Sequence, residues 1–435
     1  VNRLKADGKS IACLNAPTIN RNSQCDLHLV FKRRFNESCS VNLGTTSTLG
    51  DLNSCISEGE STFDVVSSTL KFNDISLVLG DSEVTLLCWK DDTQIKNRLL
   101  YRETIGGKDV LYVGPTHSIN ANPQFLEVAS DFTCWPGVVD PTAARQGKIS
   151  LAGFWAISKY QHDYSMALAQ HIIGTEAYDV ITNYTSFIDT LQHEMFVAKD
   201  HSHYREMHNF IVKGYQLVSD DLATISSLLE ESDSMLVFSD HGVANSQNVV
   251  FFNGFLKSIG VDVESQTPQV KALTSGGLVH VYFSAGNEDL IQKVKIAMKQ
   301  FSYKGQALFA SIYDQSNFKS SDLNHKNSGA IVVIANEGFG FDPRLPPTSM
   351  FVYPSVSSPD DIKDTELSKQ EYEFLLKGTP NRVSPGVHGF QSKHTNINGI
   401  VSAVGPIRNR LESTPNREIK DIYDLIVKAS KASRK

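Results

Sequence analysis

"MLVFSDHG", Met235 to Gly242, runs four apolar residues into a serine, an aspartate, a histidine and a glycine. Four consecutive apolar residues read as a short buried strand. Asp240 and His241 then sit at its carboxyl end, and Gly242 lets the chain turn away sharply. In an open α/β sheet the loops beyond the carboxyl ends of strands are where ligands bind. The stretch therefore predicts both a fold class and a place for chemistry.

Outward from this point the texture supports an α/β architecture. Residues 204 to 230 carry Met207, Phe210, Ile211, Leu217, Val218, Leu222, Ile225, Leu228 and Leu229 at helical spacing, so a long helix leads into the strand. "YDVITNYTSFID" reads as another strand ending at Asp189, and "GGLVHVYFS", "GAIVVIA" and "GIVSAVG" read as short buried strands bounded by glycine. From about residue 120 such strands alternate with helices, which predicts a mainly parallel central sheet covered by helices on both faces. Residues 1–104 differ: "TFDVVSSTLKF", "DISLVLG" and "SEVTLLCW" predict a β-rich segment joined to an α/β domain spanning 105–435. "RLPPTSMFVYPSVSSPDDIKD" reads as a Pro/Ser-rich loop or lid, and "EIKDIYDLIVKASKASRK" as an amphipathic helix.

Composition limits the functions available. The 41 basic and 48 acidic residues of the 435-residue chain leave a net charge of -7, which argues against an extended nucleic-acid surface. No apolar run approaches the roughly 20 residues that span a bilayer. Cys13, Cys25, Cys39, Cys55, Cys88 and Cys134 crowd the first third of the chain and suit disulfides in an oxidising compartment, with scattered thiols as the alternative. Asn36-Glu-Ser and Asn183-Tyr-Thr permit N-glycosylation and require nothing. The opening "VNRLKADGKSIACLNA" reads as a helix end entering a strand, as in a fragment or a processed chain.

Three stretches place metal-capable side chains beyond predicted strands. In "FIDTLQHEMF", Asp189 and His193 are four apart, so one turn of helix brings both to one face. "SDHG" supplies Asp240 and His241, and "SPGVHGFQSKHTNINGIVSAVGP" supplies His388 between glycines. Each alone is ordinary, as a surface pair or a satisfied core histidine. Together, carboxylate and imidazole donors suit zinc and related divalent ions.

These stretches resemble the alkaline phosphatase superfamily, and within it the type I phosphodiesterase/nucleotide pyrophosphatase branch. "FIDTLQH" is similar to its D-x-x-x-H, "MLVFSDHGV" to its strand with S-D-H-G, and "GVHGF" with "GIVSAVGP" to its G-x-H-G and Gly-Pro strand, over about residues 105 to 430. The resemblance implies two divalent metal ions, zinc with manganese as the alternative, and a phosphate-ester small molecule or nucleotide as substrate. Asp189, His193 and His388 would hold one ion, and Asp240 with His241 would contribute to the other. Two such ions clamp the phosphoryl oxygens of an in-line displacement. The implied nucleophile, a Thr or Ser following an Asp-bearing strand, would lie before Val1, leaving the sheet N-terminally incomplete with an exposed edge or apolar face. It also implies an extracytoplasmic location.

Other residues remain open. Thr116 and Ser118 in "VGPTHSINANP" are stand-in nucleophiles, His201, His203 and His208 a second histidine cluster, and His394 an alternative to His388. "CWPG", Cys134 to Gly137, resembles an element near the branch's substrate cleft, and "EGFGF", Glu337 to Phe341, its glycine-rich turn. Alternative functions are a non-catalytic metal-binding or structural homologue, or action on phosphomonoesters, sulfates or phosphonates.

Overall fold

The computed structural model describes residues 2–14, 25–33, 39–42, 63–66, 69–72, 75–90, 95–137, 139–284, 287–318, 323, 325–363, 365–376, 384–390, 397–412 and 418–432. The chain forms two compact units. The first comprises Val1–Thr190, Val212–Asp240 and Val401–Lys435, and the second Leu191–Ile211 and His241–Ile400.

In the first unit a short helix α1 (Asn2–Ala6) enters strand β1 (Ile11–Leu14), every residue of which is buried. Buried on both faces, β1 lies parallel to β2 (Leu27–Arg33) on one side and to the strand Val180–Asn183 on the other. Beyond β2 the sheet continues antiparallel. β3 (Cys39–Asn42), a three-stranded meander β4 (Phe63–Val66), β5 (Thr69–Phe72) and β6 (Ile75–Val78), and then β7 (Val84–Lys90), β8 (Ile95–Ile105), β9 (Lys108–Val113) and β10 (His117–Ala121) follow. With β11 (Val180–Asn183), the large sheet runs β11-β1-β2-β10-β8-β9-β3, with β7 added at β8. A 25-residue helix α2 (Leu151–Thr175), capped by the Ser150 hydroxyl accepting from the Gly153 N–H, lays Leu168, Ala169 and Ile172 against Ala12, Leu14 and Leu27.

Helix α3 (Phe187–Met195) follows β11, and α4 (Tyr204–Ser227) follows α3. Both are continuous helices through which the division between units passes. Strand β12 (Met235–Phe238) then leads to the second unit, which has a core of its own. There β13 (Ala244–Phe251) runs into α5 (Phe252–Ser258), and β14 (Val270–Ser275) forms a Gly-Gly hairpin with β15 (Leu278–Phe283). After α6 (Glu288–Gln300) come the two-residue strands β16 (Ser302–Tyr303) and β17 (Gln306–Ala307), then β18 (Phe309–Asp314), β19 (Ile331–Ala335) and β20 (Gly338–Asp342). β21 (Val352–Pro354), α7 (Lys369–Leu376) and β22 (Gly386–Val387) complete the unit. β14-β15-β19-β18 form one antiparallel sheet, and β20-β13-β21 with β22 form another. Phe252, Phe255, Phe309 and Phe341 interlock in edge-on, tilted and stacked contacts. The first unit closes with β23 (Val401–Val404), antiparallel to β12, and α8 (Ile419–Ala432), whose Val427 packs on Leu4, Ile11 and Cys13.

The α/β class is as expected, with long helices at 151–175 and 204–227 among the strands. Parallel pairing is narrower than expected: among the described strands it is confined to β11-β1-β2 and β13-β20. Three readings need correction. Strand β11 stops at Asn183, and Asp189 lies in the first turn of α3, because Thr185 and Ser186 start a helix; the Thr190 N–H already donates to the Ser186 carbonyl. β12 is half-buried rather than buried, because β23 is its sole partner among the described strands; Phe238, Val401 and Val404 are exposed there. The stretch expected as a loop or lid at 344–364 contains a strand and enters the second core: Val352–Pro354 pair as β21 with β13, and Tyr353, Val356 and Ile362 are buried. The stretch Asn15–Arg21, His394, Asn36 and Cys55 lie outside the described residues.

The same region predicts an acid sensitivity. Glu371, 8% exposed, accepts from the Ser368 hydroxyl at 2.7 Å, the Thr348 hydroxyl at 2.7 Å and the Tyr353 hydroxyl at 2.9 Å. These bonds, the Ser368 one foremost, hold its carboxyl down at about 2 against burial. The folded value lies below the unfolded one, so the stabilisation is complete above about pH 4.5 and is lost as pH falls towards 2. Glu371→Gln should cost about 1–3 kcal/mol at pH 7, and the deficit should shrink by pH 2.5 in denaturant titrations. An equal deficit at both pH values would contradict this network.

Candidate metal centre

Helix α3 is built to carry donors on a buried side. Phe187, Leu191, His193, Glu194 and Met195 are buried along it. Asp189 falls in the first turn and His193 in the last, four residues apart on one face. His193 is 1% exposed, and its Nδ1 lies 2.7 Å from the Gly386 carbonyl oxygen. A carbonyl oxygen only accepts, so Nδ1 carries the proton and the lone pair is on Nε2. This is the arrangement by which outer partners fix the tautomer of a ligating histidine.

Glycine makes the approach possible. A Cβ on Gly386 would stand 2.0 Å from the Gln192 carbonyl oxygen, so only glycine lets this backbone lie against α3. Two residues later, His388 is clasped from its other side by the β14–β15 hairpin. The Gly277 N–H donates to the His388 carbonyl at 2.6 Å, and Gly276, at φ 56°, has no room for a Cβ beside that same carbonyl.

Within the second unit the three imidazoles converge. His388 stacks on His241 with ring centroids 3.8 Å apart, and meets His193 edge-on at 5.2 Å. Asp189 is fixed relative to His193 by one turn of continuous helix, and one ligand atom from each of Asp189, His193 and His388 lies within 4.8 Å of the others. Among the described residues these three form the sole cluster of that kind. Within the first unit burial foremost, and then the charges of Asp189 and Asp240, push the Tyr184 phenol above the usual tyrosine range. Asp240 is exposed and precedes His241 directly in the chain.

The other candidates take structural places. Thr116 and Ser118 are buried, and the Thr116 hydroxyl accepts from the buried Arg98 Nε–H at 2.6 Å. His201 bonds Asp361 at 2.9 Å, His203 lies 3.6 Å from Glu206, and His208 stacks on Tyr204. In "CWPG", Cys134 is bridged to Cys88 and the Trp135 carbonyl accepts from Asn97. Gly340 of "EGFGF" packs against Ser246 and Val387, which supports β22 just before His388. Sequence reasoning missed Gly276 and Gly277, whose Gly-Gly pair between two alternating strands is a hairpin signal. It also missed Glu194, a buried carboxylate that accepts from Ser384 at 2.8 Å.

Residues 110–346 match the type I phosphodiesterase / nucleotide pyrophosphatase family, more than half of the chain. The chain belongs to that family. The matched span contains Asp189, His193, Asp240 and His241 and ends before His388. No curated protein matches the chain. Similar solved structures include phosphonoacetate hydrolase from Sinorhizobium meliloti 1021 in complex with phosphonoformate, at 11% identity over 64% of this chain and 56% of that one, with a TM-score of 0.36. A second is murine ectonucleotide pyrophosphatase / phosphodiesterase 5, an inactive form in complex with AMP, at 14% identity over 56% of this chain and 52% of that one, with a TM-score of 0.35. The chain thus spans about half the length of the solved structures it matches.

Two measurements check the geometry. Long-range proton–nitrogen correlation spectra of the neutral His193 ring should show the proton on Nδ1; a proton on Nε2 would contradict the Gly386 bond. Gly386→Ala should destabilise the fold by about 1–3 kcal/mol or more, and a variant as stable as wild type would show that this backbone does not press on α3.

Proposed function

We propose that this phosphodiesterase-family chain is the metal-holding part of a phosphoric ester hydrolase that acts on phosphodiester or nucleotide pyrophosphate bonds. The observation that carries the reading is the convergence of Asp189, His193 and His388, one carboxylate and two imidazoles, with the His193 tautomer already set by Gly386. Such donors fit a divalent ion of the zinc class, and Asp240 with His241 would hold a second. When bound, two such ions polarise the phosphoryl oxygens and stabilise the charge that develops in displacement.

The chain's own residues have three tasks in this reading. Asp189 and His193 present two donors from one helix face, so their spacing is set by helix geometry rather than by a loop. The glycine-flanked backbone at 386–389 presents His388 to them. The Gly386 carbonyl keeps the His193 proton on Nδ1, away from the donor nitrogen. Thr116 and Ser118 are buried and are not proposed as nucleophiles; in this reading the attacking hydroxyl lies outside this set of residues. The division into a β-rich 1–104 and a metal-holding 105–435 is part of the same proposal.

An extracytoplasmic location is supported by the disulfides Cys13–Cys25 and Cys88–Cys134. No helix among the described residues is long and apolar enough to cross a membrane.

Metal analysis tests the ligand assignment. The purified chain should bind zinc or manganese, and Asp189→Ala combined with His388→Ala should weaken that affinity by more than about 100-fold, beyond the cost of losing an outer partner. Equal metal content in both would refute it. For substrate class, the full-length protein should cleave a nitrophenyl phosphodiester faster than the matching monoester or sulfate; the reverse order would favour a monoesterase or sulfatase, and no turnover would favour a non-catalytic homologue.

A further inference from the structure

Beneath the start of α3 the first unit holds a line of polar groups that the candidate centre does not use. His162 of α2 has no exposed side-chain surface, and its ring stacks on Phe187 at a centroid distance of 4.5 Å and an angle of 15°. Its Nε2 lies 2.8 Å from Asp221 Oδ2 of α4, and its Nδ1 lies 3.2 Å from Thr185 Oγ1. Thr185 Oγ1 in turn lies 3.3 Å from the Phe187 backbone nitrogen.

Chemistry fixes the direction of every bond in this line. A carboxylate accepts, so His162 Nε2 carries the proton and Nδ1 offers a lone pair. The Thr185 hydroxyl donates to that lone pair, and its oxygen accepts the Phe187 N–H. Of the charged groups facing His162, Asp221 and Asp163 favour a second proton and Lys159 opposes it; burial outweighs them and holds the ring below the usual imidazole range. The line therefore runs one way, from Phe187 N–H through Thr185 and His162 to Asp221.

Helix ends leave their first N–H groups without partners inside the helix, and the first turn is where helices fray. Asp189 sits in that turn, two residues beyond Phe187. A plain cap needs one hydroxyl. Here the hydroxyl is oriented by a buried imidazole that is oriented by a carboxylate on another helix, and the same ring holds the Phe187 side chain. We propose that Asp221, His162 and Thr185 form a positioning relay that keeps the first turn of α3 closed and so holds the Asp189 carboxylate in place for metal. The ordering of α3 rests on the hydrogen bonds alone; its consequence for metal rests on the function proposed above. The relay also gives Thr185 of the Asn183-Tyr-Thr sequon a use within the fold.

The test uses the full chain and three near-isosteric variants. Thr185→Val keeps the shape and removes the hydroxyl, Thr185→Ser keeps the hydroxyl, and Asp221→Asn lets an amide donate to Nε2 and so turns the His162 proton towards Thr185. Two readouts are taken: amide hydrogen exchange over residues 187–191 without metal, and zinc affinity by competition with a chelator. Thr185→Val and Asp221→Asn should speed exchange at 187–191 about 10-fold relative to the middle of α2 and weaken zinc about 10–100-fold, while Thr185→Ser stays within about threefold of wild type on both. Unchanged exchange in Thr185→Val and Asp221→Asn overturns the relay whatever the zinc result. Faster exchange spread evenly over α2, α3 and α4, with Thr185→Ser no better than Thr185→Val, overturns it in favour of general loosening. Wild type that binds no zinc but shows the localised exchange pattern overturns the metal reading alone.

Discussion

The bond from His193 Nδ1 to the Gly386 carbonyl is the contact on which the candidate centre depends. It joins two segments 193 residues apart in sequence, it is buried, and it decides which nitrogen of His193 carries the lone pair. The bond requires the 386 backbone to lie against α3 closer than any residue with a Cβ permits. A Gly-Gly hairpin holds the His388 carbonyl. Glycine is used here for closeness of approach, and the histidines inherit their positions from it.

This arrangement explains why donor side chains scattered over 200 residues converge. Asp189 and His193 share a helix, so their separation is a property of helical pitch. His241 and His388 share a stacked contact in the second unit, while Asp189 and Asp240 both act on the Tyr184 phenol in the first.

The candidate donors were legible in the sequence because each combines a metal-capable side chain with a local signal: an i, i+4 pair, a D-H-G after an apolar run, a histidine between glycines. The α/β class was legible from strand and helix periodicities. The direction of strand pairing was not, since a buried β-branched run reads alike in parallel and antiparallel neighbours; β19 is such a run, and its neighbours β15 and β18 are both antiparallel to it. The start of α3 was misplaced because Val180, Ile181 and Thr182 favour strand and nothing in "TSFID" outweighs them locally. What closes the helix there is Thr185 with His162 and Asp221, residues distant in sequence. The loop or lid expected at 344–364 hid a strand for a related reason: its prolines suggest irregular chain, yet Tyr353 and Val356 have a core to enter.

The central claim is that Asp189, His193 and His388 together hold a metal ion. Anomalous diffraction at the zinc edge from crystals grown with zinc tests it most directly. The account predicts a peak at about 2.0–2.2 Å from a carboxylate oxygen of Asp189 and from one ring nitrogen each of His193 and His388, with Nε2 as the His193 ligand. A peak on other residues, or none at this cluster in zinc-saturated crystals, would contradict it.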